Sequence, residues 1–537
     1  MPHCRLLRLL SVPALLVAAP AAARAQVPVW YESQKLVSPD AQLFGEFGEN
    51  FMINGEVMIA SADEDDLPTE FGEVWVFRWD PALKQWVDEQ RLEATPHNGQ
   101  VCGGTCHFGH TAAVQGDVIA VGVPHDEPWG FMSGAGYVFR YDPVSGVWNE
   151  EEYFVAPYGG VIDHIGHGVD VGGDVVLFGG ERSTVYNTFT EAGRVQVLRW
   201  DGSQWNFEQE LISSDIQSDD RFGYHVAVEN DVAVIGAQGD QGPPSNACDG
   251  SAYVYRYDPV TGVWNEEQKL PTHGANEVTQ FAMPVDISRD GNRIMVGMPR
   301  CGMNGQEHGG SVVVYEYDAQ AGVWNLTDEF QPSDLGPSDD FGAWVAMDGD
   351  LAVVGSWLAS QNGPFSGAAY LFERDPATNT WQEKVKLAAS DNAAFDTLGW
   401  CVSINNGWIG VGSYNNDANG LTNSGAVYLF KVDELTIDQH PVPTGATSTI
   451  TSVGADPFEG VYLAGSIAGL GSTMVPPLGA ALDLDQPMQV GNIAVANQGG
   501  KATWDVFFPG NVSGMTVWFQ AISTSGWTSR VLQVQVQ

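Results

Sequence analysis

Short apolar runs separated by turn residues recur along most of this chain. In the clearest copy, Arg221 to Ala237, two alternating runs flank the dipeptide Asn230-Asp231. A dipeptide of this kind between alternating apolar and polar residues is typical of a two-residue β-hairpin turn. The pattern therefore predicts hairpins of short strands and no long helices.

The hairpin pattern repeats seven times, and the repeat decides the architecture. Each unit opens on an anchor, which is an apolar residue followed by glycine or, once, by alanine. Successive anchors are 57 to 61 residues apart. The anchors are Phe47-Gly48, Phe108-Gly109, Ile165-Gly166, Phe222-Gly223, Phe281-Ala282, Phe341-Gly342 and Leu398-Gly399.

Each unit contains four predicted strands. After the anchor come the hairpin, a variable loop, a third strand ending at an aspartate, and a polar strand that begins with tryptophan. Trp264 to Leu270 is one example of this last strand. Seven units of four antiparallel strands predict a seven-bladed β-propeller over residues 26–433.

The ring is predicted to close through its first strand. The seventh unit lacks the tryptophan strand, but a close copy, Trp30 to Leu36, precedes the first unit. Because each blade buries its two faces only against its neighbours, the ring must close to be stable. We therefore predict that this copy is the outermost strand of the seventh blade.

The composition changes after the propeller. Residues 434–445 contain His440-Pro-Val-Pro-Thr-Gly445 and are predicted to be a linker. Residues 446–537 contain few charges and several alternating stretches, such as Thr503 to Phe508, and predict a small β-sandwich. This module could act in surface attachment or sorting, or as a passive spacer.

The repeats resemble a known family. The Phe-Gly anchor and the Gly-small-Pro ending, best seen in Gly122-Val123-Pro124 and Gly297-Met298-Pro299, resemble the FG-GAP repeats of integrin α-subunit propellers. The similarity is greater to the short FG-GAP repeats of secreted bacterial proteins. The resemblance implies a propeller and extracellular binding, whereas a fold of this kind does not identify a ligand.

The calcium sites of integrin propellers are not carried over. Integrin-type repeats often hold an Asp-x-Asp-x-Asp-Gly loop between their first two strands, where this chain has only a tight turn. Two or three residues cannot supply the six to eight oxygens that calcium takes. No cofactor is predicted. The remaining candidates for calcium binding are four acidic loops, and the alternative is that these loops are only solvated. They are Asp63 to Asp66, Asp219-Asp220, Asp339-Asp340 and Asn415 to Asp417.

The N-terminus and the charge limit the function classes. Arg5 and Arg8, an apolar run from Leu9 to Ala18, and Ala23-Arg24-Ala25 predict a signal peptide over residues 1–25. The apolar run is too short to span a membrane, so the predicted location is secreted, at the cell surface or periplasmic. The formal net charge is −44, which disfavours nucleic acid and anionic lipid as partners.

The cysteines are interpreted in an oxidising compartment. Cys102 and Cys106 are candidates for a local disulfide, and Cys248 and Cys301 lie in equivalent loops of adjacent repeats and could pair. Cys401 is predicted to be a buried free thiol. An alternative is that Cys102, Cys106, His107 and His110 bind zinc, although export favours the disulfide; the metal content stays unknown.

One set of residues is a candidate binding site. If the anchor strand is innermost, the residues two positions after the start of each anchor ring one mouth of the central channel. They are Glu49, His110, His167, Tyr224, Met283, Ala343 and Trp400. Such an acid, imidazole and aromatic ring is suited to binding a small polar ligand or sugar; the alternative, which is the more common case for residues at these positions, is that they only fill the channel wall.

The predicted function is extracellular binding or adhesion to a protein or glycan, without catalysis. No nucleophile elbow, phosphate loop or His-Glu-x-x-His motif is present. The recognition surface is predicted in loops Pro124 to Gly134, Gly239 to Gly250, Pro299 to Gly310 and Tyr414 to Gly425, because loops on a rigid ring can vary freely. The alternatives are a propeller-based carbohydrate-active enzyme and a structural component of the envelope or matrix.

Overall fold

The computed structural model describes residues 31–431, except residues 42, 63–71, 84, 96–105, 241–249, 271–281, 283, 301–307, 361 and 376, together with nine strands between residues 434 and 535. Within this part the chain is all-β, and its helical content is one short 3-10 helix, Ala418–Gly420. The signal peptide, Trp30, Met283, Asp63 to Asp66, and cysteines 102, 248 and 301 lie outside the described residues.

Seven four-stranded antiparallel sheets form the blades, which confirms the predicted propeller. In blades 1 to 6 the strands run outward from the channel in chain order, and in blade 7 the first strand of the chain is outermost. The first four blades contain Phe51–Asn54, Val57–Ala62, Glu73–Asp80, Gln85–Leu92; Ala112–Gln115, Val118–Val123, Ala135–Asp142, Val147–Phe154; Ile165–Gly172, Val175–Gly180, Arg194–Trp200, Trp205–Leu211; Phe222–Glu229, Val232–Ala237, Ser251–Asp258, Val263–Leu270. The last three contain Val285–Ile287, Arg293–Met298, Ser311–Asp318, Val323–Phe330; Trp344–Asp348, Leu351–Ser356, Ala368–Asp375, Thr380–Leu387; Val402–Asn405, Trp408–Ser413, Ala426–Lys431, Tyr31–Leu36.

The strand Tyr31–Leu36, called the closing strand below, confirms the predicted closure. It is the outermost strand of blade 7 and pairs antiparallel with Ala426–Lys431, with Leu36 opposite Val427. At the centre, the innermost strand of each blade contacts that of the next, and Val402–Asn405 contacts Phe51–Asn54. Both the innermost and the outermost strands therefore join the last blade to the first.

A glutamine clamp joins the outermost strands of neighbouring blades. Gln209 lies on blade 3; its side-chain amide donates to the carbonyl of Trp264 on blade 4 at 2.9 Å and accepts the Trp264 N–H at 2.8 Å. Gln34 of the closing strand makes the same two bonds to Trp86 of blade 1. The boundary between blades 7 and 1 thus has the contacts of an internal boundary.

Close packing of blades explains the glycines of the repeat. The anchor glycines have φ between +88° and +96°, which L-residues avoid. The glycine that ends the second strand faces the anchor of the next blade, so that a Cβ at Gly179 would overlap the carbonyl oxygen of Gly223. The same overlap would occur at the equivalent glycines, which are Gly122, Gly236, Gly297, Gly355 and Gly412.

This contact predicts an unequal cost for two alanine substitutions in blade 3. Gly179→Ala is expected to lower the free energy of unfolding by about 3 kcal/mol, because blades 3 and 4 must separate to admit the methyl group. Gly173 lies in an open hairpin turn, where an added Cβ would have no atom within 4 Å. Gly173→Ala is therefore expected to lower the free energy of unfolding by about 1 to 2 kcal/mol, through the positive φ alone. Denaturant unfolding of both variants measures the difference; equal costs would contradict the packing argument.

In six blades the hairpin turn between the first and second strands has two residues, as predicted, whereas in blade 5 residues 288–292 separate the two strands. Several of the two-residue turns begin one residue later than the sequence suggests. Asn54 pairs with Val57, so the turn in blade 1 is Gly55-Glu56, and blade 2 turns at Gly116-Asp117. The side chains of Asn54 and Gln115 are thus strand residues at the channel end, where both accept backbone N–H groups of the next blade.

The C-terminal strands form three sheets of three, four and two strands. Their packing into a sandwich, and the residue limits given above for the linker and module, stay predictions. The strands are Glu434–Ile437, Thr447–Val453, Gly460–Ser466, Leu470–Val475, Ala480–Leu484, Met488–Val495, Ala502–Phe507, Thr516–Ser523 and Leu532–Gln535. No helix among the described residues is long and apolar enough to cross a membrane.

Candidate functional site

The central channel has two different ends. We call the end with the two-residue hairpin turns the turn face, and the opposite end the loop face. The loop face carries the anchors, the loops between second and third strands, and the connections from blade to blade. Between the faces, the seven innermost strands enclose a cavity of about 140 Å³.

A tight turn across each anchor positions two side chains at the loop-face mouth. The N–H of His110 donates to the carbonyl of His107 at 3.1 Å, and His167 donates to His164 at 3.1 Å. His107 and His164 adopt positive φ values of 57° and 54°. The turn thus brings the residue before the anchor and the residue after it to the same mouth.

The structure brings together three of the six described residues of the predicted ring. The ring centroids of His110 and His167 are 5.0 Å apart, and those of His167 and Tyr224 are 4.5 Å apart. Trp400 instead packs against Trp357 and Tyr414, with centroids 4.9 and 4.8 Å away.

The other members of the predicted ring have different surroundings or lie outside the described residues. Glu49 lies near the Cys401 thiol and helps to raise its pKa, after burial, which is the main cause. Ala343 is buried, and Met283 is outside the described residues. The ligand-binding role of the ring stays a prediction.

Three further histidines lie beside this cluster; the sequence suggested His107 only as a possible zinc ligand with Cys102 and Cys106, and it gave no role to His125 or His164. His107, His125 and His164 lie at the same mouth, with centroids 4.1 Å apart for the first two and 5.1 Å apart for the last two. A signal existed, because His107-Phe-Gly-His110 and His164-Ile-Gly-His167 place the same H-x-x-H pattern across adjacent anchors.

Hydrogen bonds fix two of these imidazoles. His164 Nδ1 is 3.3 Å from Glu181 Oε1, and His167 Nδ1 is 3.1 Å from the carbonyl oxygen of Tyr224. Burial lowers the pKa of His167 to about 4, so its ring is neutral. Burial acts to raise the pKa of Glu181. The hydrogen bond from His164 and the electrostatic effect of the neighbouring His167, His164 and Arg182 side chains outweigh burial, so the pKa is lowered.

The middle of the channel holds side chains that complete the inner edges of the blades. Innermost strands are edge strands whose N–H groups have no further strand to pair with. Ser403 accepts the N–H of Ile53 on the next blade at 3.0 Å, and Asp348 accepts that of Asn406 at 2.8 Å. These bonds join each blade to the next around the channel.

Asp170 and Asp286 are two ionisable members of this set, and their pKa values are raised. Asp170 accepts the N–H of Val228 at 2.7 Å, and Asp286 accepts those of Ile287 and Met347 at 2.8 and 2.7 Å. Burial raises the pKa of Asp170 to about 7. Burial, together with the charge of Asp170, raises the pKa of Asp286 to about 8.

Exposed aromatic side chains concentrate on the loop face. Trp129, Phe131 and Tyr158 are 53, 57 and 76% exposed and lie in the two loops that meet between blades 2 and 3. In the part of the chain that the structure describes, seven of the eight exposed aromatic residues are on this face. The seven are Phe44, Trp129, Phe131, Tyr158, Tyr186, Phe365 and Phe395, and the exception is Phe207 on an outermost strand.

The loops that present these aromatic residues are held together by hydrogen bonds. The indole N–H of Trp129 donates to the carbonyl of Ala156 at 2.9 Å, and the N–H of Ile162 donates to that of Phe131 at 2.8 Å. Of the loops predicted for recognition, residues 124–134 and 414–425 are described throughout, and the other two only in part.

The predicted acidic calcium candidates have other partners. Asp220 accepts the N–H of Gln217 at 2.6 Å, and Asp339 accepts that of Gly336 at 2.7 Å, so each caps its own loop. Cys106 is disulfide-bonded, to a partner outside the described residues, and Cys401 is a buried free thiol as predicted. The pairing of Cys102 with Cys106 and of Cys248 with Cys301 stays a prediction.

Comparison with known proteins identifies the repeat. Residues 205–255, 324–372 and 381–430 match the FG-GAP repeat family. Each matched stretch runs from the outermost strand of one blade to the third strand of the next. No curated protein matches the chain.

Solved structures with a similar fold are distant in sequence. A 6-phosphogluconolactonase, described as putative, from Bacteroides uniformis is 12% identical, with 63% of this chain and 83% of that chain covered and a TM-score of 0.41. The periplasmic gluconolactonase PpgL of Pseudomonas aeruginosa is 12% identical, with coverages of 65 and 86% and a TM-score of 0.41. Sqt1 of Saccharomyces cerevisiae is 9% identical, with coverages of 80 and 97% and a TM-score of 0.38.

Proposed function

We propose that this chain, a seven-bladed β-propeller with FG-GAP repeats, is a secreted bacterial binding or adhesion protein that holds an extracellular protein or glycan on its loop face. FG-GAP repeats are typical of extracellular proteins. The observation that carries the proposal is the concentration of exposed aromatic residues on that face.

The exposure of these side chains has a cost that a ligand would remove. An exposed indole or phenyl ring leaves a large apolar area in water, and clusters of such rings mark binding surfaces in soluble proteins. Trp129 and Phe131 are held in place by the loop hydrogen bonds described above. An ordered aromatic surface loses little conformational entropy on binding, which favours a recognition role over a chance exposure.

The surface fits both ligand classes named in the proposal. Aromatic faces stack on the apolar faces of sugars, and they also fill pockets in protein partners. Val161 is 61% exposed beside Tyr158 and extends the apolar surface between blades 2 and 3. The proposed interface is therefore centred on these two blades.

One observation favours the alternative of a carbohydrate-active enzyme: Glu181 and several imidazoles lie at the loop-face mouth of the channel. Glu181 is only 3% exposed, however, and its Oε1 faces His164 and Arg182. A glycosidase needs two carboxyl groups that reach opposite sides of a glycosidic bond. The geometry of Glu181 suits the positioning of His164 better than contact with a substrate, which supports binding without catalysis.

A glycan and matrix-protein array, followed by product analysis, separates the candidate functions. The proposal predicts specific retention of a glycan or protein without turnover. Hydrolysis or lyase products from a retained glycan would support the enzyme instead. Retention of nothing, with the protein recovered from insoluble envelope material, would support a structural component.

A further inference from the structure

Five of the eleven histidines of this acidic chain form a continuous series at the loop-face mouth. The rings of His107 and His110 have centroids 6.3 Å apart, and the other neighbouring pairs are closer, as given above. The series runs from His164 through His125, His107 and His110 to His167. Imidazole rings gathered in this way supply several nitrogen donors to one small volume.

The tautomers of His164 and His167 follow from their partners. A carboxylate and a carbonyl oxygen can only accept a hydrogen bond, so Nδ1 carries the hydrogen in both rings. In the neutral form of either ring, Nε2 then holds a free electron pair. Metal-binding histidines are held in the same way, with the other ring nitrogen donating to a carboxylate or carbonyl.

His164 Nε2 is the atom that most directly indicates a ligand. His164 is 7% exposed, and its Nε2 is buried without a hydrogen-bond partner. Buried nitrogen atoms in proteins are nearly always paired, and leaving one unpaired costs about 1 to 3 kcal/mol. A buried nitrogen electron pair in this position would be stabilised by an electron-pair acceptor such as a metal ion.

The spacing of the rings suits a shared metal ion. With a zinc–nitrogen distance of about 2.1 Å, each ring centroid lies about 3.2 Å from the ion, and two ligating rings at a tetrahedral angle lie about 5 Å apart. The centroids of His164 and His125 are 5.1 Å apart, with the ring planes inclined by 63°. His107 follows at 4.1 Å from His125, inclined by 69°.

We propose that His164 and His125, with His107 beside them, bind a divalent transition-metal ion such as Zn²⁺ or Cu²⁺ at the loop-face mouth. Imidazole nitrogen suits these ions, whereas calcium takes oxygen ligands. Because Cys106 is disulfide-bonded, it supplies no thiolate. No group of three or more His, Cys, Asp or Glu among the described residues is arranged to hold an ion, so the proposed site rests on the pair His164 and His125.

Isothermal titration with Zn²⁺ tests this site. The protein is purified without a polyhistidine tag and stripped of metal by a chelator. Wild type is expected to bind about one equivalent of Zn²⁺, and His164→Gln is expected to weaken binding at least tenfold. Glu181→Gln, which removes the carboxylate behind His164, is expected to weaken it about tenfold.

His225→Gln is the matched control. His225 Nδ1 accepts the N–H of Val285 at 3.4 Å, so its Nε2 carries the hydrogen and has no electron pair for a metal. This variant is expected to bind Zn²⁺ as wild type does. Circular dichroism establishes that each variant is folded.

Electron paramagnetic resonance with Cu²⁺ gives a second measurement that does not depend on His164 alone. Nitrogen hyperfine splitting from two imidazoles is expected in wild type, and His125→Gln is expected to remove the contribution of one of them. The proposal is overturned if wild type binds neither Zn²⁺ nor Cu²⁺. It is also overturned if the double variant His125→Gln/His164→Gln binds these ions as tightly as wild type.

Discussion

Removal of residues 26–40 is expected to lower the melting temperature by about 10 °C or more. The deletion removes the closing strand, which leaves Ala426–Lys431 as an unpaired edge and exposes the apolar face of blade 7. It also removes the clamp from Gln34 to Trp86 and the ion pair between Lys35 and Asp391, whose atoms are 2.8 Å apart. The expected fall in melting temperature is large because the deletion opens the ring as well as shortening one sheet.

Thermal unfolding monitored by circular dichroism measures this effect, and a peptide of residues 26–40 added to the deletion variant is the control. The peptide is expected to restore much of the melting temperature by occupying the vacant edge. In the intact chain, Gln34→Ala and Gln209→Ala are expected to cost the same, about 1 to 3 kcal/mol each, because they break equivalent clamps. An unchanged melting temperature after deletion would contradict closure by this strand.

The second large effect is a loss of stability as the pH rises from 6.5 to 8.5. Asp170 and Asp286 have folded-state pKa values of about 7 and about 8, raised mainly by burial, whereas an aspartate in the unfolded chain has a pKa near 3.9. In this window the folded state therefore binds more protons than the unfolded state, so the free energy of unfolding falls as the pH rises. The two groups together are expected to remove about 2 to 3 kcal/mol between pH 6.5 and 8.

Other groups act in both directions in this range. Burial also raises the pKa of Glu73 and of Asp220 to about 7, which adds to the loss. Burial lowers the pKa of His225 and of His167 to about 4, whereas a histidine in the unfolded chain has a pKa near 6.5. The unfolded state therefore binds more protons at these two rings, and together they offset the loss by about 0.8 kcal/mol between pH 6.5 and 8.

Denaturant unfolding at several pH values checks this prediction. The double variant Asp170→Asn/Asp286→Asn is expected to lose less stability than wild type as the pH rises, whatever its stability at pH 6.5. Asp258→Asn is the control, because hydrogen bonds from Thr261 and Val260 lower the pKa of this exposed carboxyl group, so it titrates only in acid. A wild-type stability that is flat or rises with pH would show that the channel carboxylates are not protonated.

The sequence was sufficient for the architecture because the architecture repeats. The anchors, the hairpin turns and the copy of the tryptophan strand before the first blade predicted seven blades and their closure. These features are set by backbone conformation and burial, which constrain residue types at every copy. The overlap that a Cβ at Gly179 would create shows how strict the constraint is.

The candidate site was harder to predict from the sequence, because it depends on how the blades face one another. His107 and His164 reach the mouth only through a positive φ before the anchor, and a single sequence does not show that conformation. The roles of Asp170 and Asp286 depend on the N–H groups of Val228 and Met347 in the next blades, and a single sequence does not show which N–H groups these side chains reach. The exposed rings were missed because a loop sequence does not reveal whether its aromatic residue points to solvent or to the core.

The central claim, that the loop face binds the ligand, is tested most directly by one array probed with three proteins. They are wild type, the loop-face variant Trp129→Ala/Tyr158→Ala and the turn-face variant Val144→Ala/Val260→Ala, whose two valines are 93 and 91% exposed. We expect wild type and the turn-face variant to bind the same glycan or protein spots. We expect the loop-face variant to lose those signals by about 30-fold or more, as loss of two aromatic anchors would cause. A loop-face variant that binds as wild type does would contradict the account.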